Sequence, residues 1–251
     1  MDTPSDLTDF LRGWPYDEDE NVRFITTADG REIMQIRQPM GVEQYELDGR
    51  PDGNAVEGGS TYLDYYAALD GEAAKSERPF ELRDEDFNRL RTESVLYYFR
   101  YLALFQVGQY DRVARDTRHN LDVCDIVRRR YTGEDKDELL QYLPYIRRVN
   151  AISKAMLSLA DDRPDIARQE LESAVEDIEN QEPAGTPVYQ FEKIRSLQHL
   201  KQVIAQVESV GVVPHERKGL KERLEEELRG AVEKEDYERA ARLRDRLNRL
   251  S

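Results

Sequence analysis

Apolar positions change period along the chain, and the changes mark its elements. Over residues 22–27 (VRFITT), 31–37 (REIMQIR) and 42–47 (VEQYEL) they alternate, placing every second side chain on one face as a half-buried strand requires. Asp29-Gly30 and Pro39-Met40-Gly41 separate the runs, which predicts a small antiparallel β meander. The glycine- and proline-rich stretch 48–53, with Gly58-Gly59 behind it, reads as turns leading from strands into helices. Its backbone, with Asp48 or Asp52, could also hold a small ion.

From Ser60 onward the period is helical. Ser60-Thr61 can cap a short helix carrying Tyr62, Leu63, Tyr65, Tyr66 and Leu69, and residues 71–79 read as a linker. A long helix starts at Asp84 or Asp86, with a buried face of Phe87, Leu90, Ser94, Tyr97/Tyr98, Tyr101/Leu102 and Phe105 at spacings of three and four. Gly108 closes it. Tyr110 opens a partner whose inner face holds Val113, Ala114, Thr117, Leu121, Cys124 and Ile126/Val127.

Two more helices follow, over about 139–159 and about 164–178. Pro144 should kink or divide the first near Tyr142, while Pro164 suits a first turn, where its missing N–H is not needed. Residues 188–210, with Phe191, Ile194, Leu197, Ile204 and Val207, form a fifth long helix. No strand is expected between 90 and 175, and no catalytic cleft between the helices.

Beyond Gly211 and Pro214 a helical hairpin is predicted. Leu220, Leu224, Leu228 and Ala231/Val232 form a stripe on its first helix, residues 233–236 make a polar turn, and Tyr237, Ala240, Leu243, Leu247 and Leu250 repeat the stripe. A unit this small does not bury such a stripe by itself. Those side chains must meet another surface, either a partner or the preceding helices.

Charge separates the regions further. The chain of 251 residues carries a net charge of -15, with 7 basic and 18 acidic side chains in residues 1–80 but 11 and 10 in residues 216–251. An acidic body disfavours direct nucleic-acid binding. No apolar run is long enough to span a membrane, and three aspartates near the amino terminus replace the basic residues of a signal peptide. The single cysteine, Cys124, excludes an internal disulfide or a CxxC pair and favours a cytoplasmic location. His119, His199 and His215 are too scattered to read as a metal site, and no cofactor is expected.

Residues 220–250, LKERLEEELRGAVEKEDYERAARLRDRLNRL, closely resemble the UVR motif found at the end of the excision-repair helicase subunit UvrB and within its nuclease partner UvrC. The resemblance rests on Leu220, Leu224, Leu228, Ala231, Tyr237-Glu238, Ala240-Ala241, Leu243, Arg244-Asp245, Leu247 and Leu250, with Tyr237 in place of the more usual phenylalanine. It implies a docking hairpin that binds a protein through Leu220, Leu224, Leu228, Tyr237, Glu238, Leu243, Arg244, Asp245, Leu247 and Leu250. Upstream, Leu102, Gly108, Tyr110 and Ala114, then Leu157, Asp162 and Ala167, loosely resemble tetratricopeptide repeats; the first alanine comes one residue late and the second turn lacks the glycine.

The fold class expected is therefore mainly α: an acidic and aromatic arm (1–20), a β meander with a turn-rich loop (21–59), a body of TPR-like antiparallel helical hairpins (60–210) and a UVR hairpin (216–251). Arg128, Arg129, Arg130, Arg147 and Arg148 could form an anion patch if their helices are adjacent, although cations near a helix carboxyl end also complement its dipole. Tyr97, Tyr98, Phe99, Tyr101 and Phe105 could line a pocket or fill the core. No catalytic motif organises the carboxylates. The reading is a non-catalytic adaptor whose UVR hairpin docks a UvrB/UvrC-like partner or a second copy as a homodimer. The alternatives are an accessory factor of nucleotide excision repair and a regulator of a Clp-type protease.

Overall fold

In the computed structural model, which describes residues 6–18, 20–56, 58–76 and 80–209, the alternating segment is a three-stranded sheet in the order β1-β2-β3. β1 (Val22–Thr26) pairs antiparallel with β2 (Glu32–Gln38), and β2 with β3 (Gly41–Glu46), in registers that place Arg23 opposite Gln35 and Met34 opposite Tyr45. Gly30 turns the first hairpin with φ +85°. Met34 and Ile36 point to the helices, where they share a core with Leu47, Tyr101, Leu104, Val113 and Val149. On the opposite face, Arg23 donates to Gln35 Oε1 and lies over the rings of Trp14 and Phe10, while Arg37 donates to the Trp14 carbonyl. The arm is therefore docked through its aromatics, and it contains a short helix, α1 (Thr8–Gly13), that its aperiodic sequence did not suggest.

The helices are α2 (Tyr62–Ser76), α3 (Asp84–Gln106), α4 (Tyr110–Arg130), α5 (Lys136–Leu140), α6 (Leu143–Ala160), α7 (Pro164–Asn180) and α8 (Pro187–Ser209). Pro144 divides the predicted 139–159 helix into α5 and α6, occupying the first turn of α6, and Pro164 is the first residue of α7. The expected linker begins later than predicted, because α2 continues through Gly71 to Ser76. A lone helical glycine costs only about 1 kcal/mol, and Ala73, Ala74 and Lys75 favour the helix. Residues 90–175 contain no strand.

Two helical hairpins, α3–α4 and α6–α7, are closed by the same turn. In the first, Gly108 N–H donates to the Phe105 carbonyl and Gln109 N–H to that of Leu104; in the second, Asp162 donates to Leu159 and Arg163 to Ser158. Both are paired helix-end turns with a left-handed central residue, Gly108 at φ +73° and Asp162 at φ +57°. Aspartate tolerates that conformation better than most side chains, which explains how the second turn forms without glycine. Five residues beyond each left-handed residue stand Val113 and Ala167, both fully buried, so the counterpart of Ala167 is Val113 and not Ala114. α6, α7 and α8 pack around Ala151, Ile152, Ala155, Ala167, Leu171, Ala174, Ile178 and Leu200, where the alanines let the backbones approach.

Meander and body are joined by buried charge. Arg100 forms a two-pronged pair with Asp116 (2.7 and 2.8 Å), both side chains completely buried, and its remaining nitrogen donates to the carbonyls of Glu46 and Gly49. Arg115 adds bonds to Asp116 and the Leu47 carbonyl, and Tyr97 donates to Gly49. Glu93, also fully buried, accepts the amides of Tyr62 and Leu63 and so caps α2 from α3; Thr61 Oγ1 accepts that of Asp64. Arg50 lies 3.4 Å from Glu93 and pairs with Asp52. Burial pushes the Asp52 carboxyl up, but bonds from Arg50 and Asn54 outweigh it and hold the group down at about 2. The 48–53 loop thus acts as a clamp between sheet and helices, and its carboxylates are engaged by the chain's own arginines.

Candidate functional site

A cleft opens between α3, α4, α6 and α8, enclosing about 410 Å³. Its walls are aromatic. Tyr98, Phe99 and Tyr101 come from α3, Tyr145 from α6, and Tyr142 caps the amino end of α6. Tyr98 meets Tyr101 edge to face at 5.5 Å and tilts against Tyr145 at 6.2 Å. Both options read for the aromatic run are realised by different members: Tyr98, Phe99 and Tyr101 line the cleft, while Tyr97 stacks on His119 and Phe105 packs into the core.

Beneath the cleft's walls lie polar atoms without a hydrogen-bond partner and with almost no accessible surface. Asn120 donates through Nδ2 to the Ser94 carbonyl (2.9 Å), but its Oδ1 has no partner, nor has Ser94 Oγ. On α8, Glu192 is nine-tenths buried with its Oε2 unpartnered, and Arg195 stands 3.6 Å from its Oε1. Arg148 lies over the Tyr145 ring; burial draws its guanidinium below the usual arginine range, and nearby Glu192 acts against that. Burial also lowers His199, with Arg148 and Arg195 adding to the shift. Glu192 thus sits in the field of Arg148 and Arg195, of which Arg195 lines the cleft.

Cys124 forms part of the cleft lining, fully buried, and burial pushes its thiol up to about 12. Such a thiol is protonated near neutral pH and is a poor nucleophile. His119 is turned elsewhere, stacked on Tyr97 and 3.3 Å from Glu93, so the two do not make a pair. Among the described residues no group of His, Cys, Asp and Glu is arranged to hold a metal.

The five candidate arginines do not form one patch. Arg129 pairs with Asp70 and Asp125, Arg130 with Asp70, and Arg147 with Asp177 and Gln181, whereas Arg148 is buried beside the cleft. The Arg128 carbonyl accepts from Lys136. The fold brings Arg129 and Arg130 together on one aspartate and sets Arg128 and Arg147 near the same two groups, Cys124 and Tyr189. Asn120, Glu192 and Arg195, by contrast, were not read as site residues. A signal existed for the first: Asn120 lies on the same helical spacing as the buried Val113, Thr117 and Cys124.

The predicted docking residues Leu220, Leu224, Leu228, Tyr237, Glu238, Leu243, Arg244, Asp245, Leu247 and Leu250 lie outside the described residues. Among the described residues no helix is long and apolar enough to cross a membrane. No curated protein and no solved structure matches the chain. The family comparison that does match falls on the segment carrying the leucine stripe: residues 218–251 fit the UvrB/uvrC motif, and the chain therefore carries a UVR motif.

Proposed function

We propose that this protein is a non-catalytic adaptor that docks a protein partner, or a second copy of itself, through the UVR motif. The motif match over residues 218–251 carries this reading, since it supports a role in protein interaction or DNA repair. Physical chemistry supports it independently: the stripe Leu220, Leu224, Leu228, Tyr237, Leu243, Leu247 and Leu250 needs an apolar surface to cover it. The described body supplies a scaffold, two hairpins of one design with a sheet clamped to them.

The test is affinity capture from a lysate with the full chain, the chain ending at Val213, and Leu224→Glu combined with Leu247→Glu, each with and without nuclease. Docking predicts capture by the full chain alone, unaffected by nuclease, because a charge buried in the contact costs several kcal/mol. Equal capture by all three would sink the reading, and capture lost on nuclease treatment would transfer it to a nucleic-acid partner. Sedimentation of the same three chains separates self-association from a foreign partner.

A further inference from the structure

The open part of the cleft is apolar, and the apolar surface runs on beyond it. Its charged pair, Glu192 and Arg195, is closed on itself, which leaves aromatic and aliphatic walls for an occupant to meet. Val95 and Phe99 of α3 and Tyr142 line it and are 46%, 48% and 46% exposed. Three residues beyond Phe99, Leu102 is exposed as well, although it lies outside the cleft, so Val95, Phe99 and Leu102 form a strip on one face of α3. Phe191 and Ile194, on the turns of α8 that carry Glu192 and Arg195, are also mostly exposed. Contiguous apolar surface of this kind marks an interaction site. A closed pocket suits a small molecule, whereas a strip that continues past the pocket suits an elongated body such as an amphipathic helix laid in a groove.

The sequence predicts such a helix just beyond α8. Leu220, Leu224 and Leu228 recur every fourth residue and cover about 12 Å of helix, against about 10 Å from Val95 to Leu102. The reach is sufficient. From Arg195 to Ser209, the last described residue, α8 runs about 21 Å, and residues 210–219 extend to about 35 Å at most. Leu220 can therefore return to the level of the cleft with length to spare. A tether this short also holds the segment at a roughly millimolar effective concentration, which favours it over a second copy in dilute solution.

We propose that the first helix of the chain's own carboxyl-terminal hairpin covers this groove, with Leu220, Leu224 and Leu228 against Val95, Phe99, Leu102 and Tyr142. A partner that uses the same leucines must displace the helix first, so the body masks its own docking hairpin. That consequence rests on the adaptor reading, whereas the contact itself does not.

The experiment is cross-linking of the full chain. In a Cys124→Ser background, Glu227→Cys beside the leucine stripe is paired in turn with Thr92→Cys and with Gln106→Cys. These two are exposed positions at opposite ends of the α3 strip, so either direction of the helix is read. A short bismaleimide should join one of the two pairs within a single chain, seen as a product of monomer mass and located by peptide mass spectrometry. Val95→Glu combined with Phe99→Glu should cut that yield at least tenfold; both side chains are exposed, and circular dichroism checks the fold. Cross-linking in neither pair would overturn the proposal, as would a yield unchanged by the glutamates. So would products that join two chains, which would assign the groove to a second copy. Partner capture by a chain that does not cross-link would leave the adaptor reading standing and remove the mask, and cross-linking in a chain that captures nothing would do the reverse.

Discussion

The joint between sheet and helices and the cleft between α3 and α8 are both built from charged and aromatic side chains off the same helices. At the joint, Arg100 meets Asp116 and two carbonyls, and Glu93 meets two helix amides and Arg50. Seven residues or fewer away on the same helix, Ser94, and across from it Asn120 and Glu192, hold buried oxygens with nothing bound to them. One set of polar groups is matched and structural, the other unmatched. Burial alone does not separate them, since both sets are nearly inaccessible; satisfaction of their hydrogen bonds does.

This contrast can be broken by mutation. Arg100→Met should have the largest effect, about 3–5 kcal/mol lost in urea unfolding, because Asp116 is left buried without its main partner. Adding Asp116→Leu should recover much of that loss, and a second substitution that only deepens it would show that the pair is not the source. Next comes Cys124, whose thiol should react with iodoacetamide about a thousandfold more slowly at pH 8 in the folded chain than in urea, as a shift from 9.0 to about 12 requires. Labelling at the unfolded rate would mean that the cleft lining is not sealed. Since the folded value lies above the unfolded one, the contribution of Cys124 to stability is complete below about pH 9 and is lost as pH rises toward 12.

Glu93→Ala should cost about 2 kcal/mol, the scale of hydrogen bonds to a charged group, and should expose the α2 amides to faster hydrogen exchange. Exchange unchanged in α2 would remove the cap from the joint. Glu192→Gln should be smallest, within about 1 kcal/mol in thermal melting, because its pair with Arg195 is loose and half open to solvent. A loss as large as that of Arg100→Met would place Glu192 in the structural set and erase the contrast.

Much of this architecture is legible in local sequence. Period-two runs marked the three strands, Gly108 and Tyr110 marked the α3–α4 turn, and Pro144 and Pro164 marked helix starts, because each acts through backbone angles or side-chain periodicity within a few residues. The carboxyl-terminal stripe was readable for the same reason, and its pattern matches the UvrB/uvrC motif. Polar residues inside the apolar stripes were less transparent. Glu93 and Arg100 fall on the spacing of Leu90, Tyr97 and Leu104, all buried, so their burial was foreseeable. Their partners were not, since Asp116 and the carbonyls of Glu46 and Gly49 are brought to Arg100 from other elements.

Phe191 and Ile194 show the limit from the other side. Both belong to the apolar set of α8, yet they are 62% and 58% exposed, while Glu192 between them is buried. Periodicity states which residues of a helix share a face; it does not state which face the rest of the molecule covers. That choice was made by the docking of α8 on α6 and α7, and with it the placing of Glu192 and Arg195 against tyrosines nearly a hundred residues earlier in the chain. Local sequence determined most of the elements and the carboxyl-terminal motif, though not α1 or the end of α2, whereas tertiary packing alone decided which polar atoms found partners and which were left without one, because hydrogen bonds between distant segments depend on positions that no local pattern encodes.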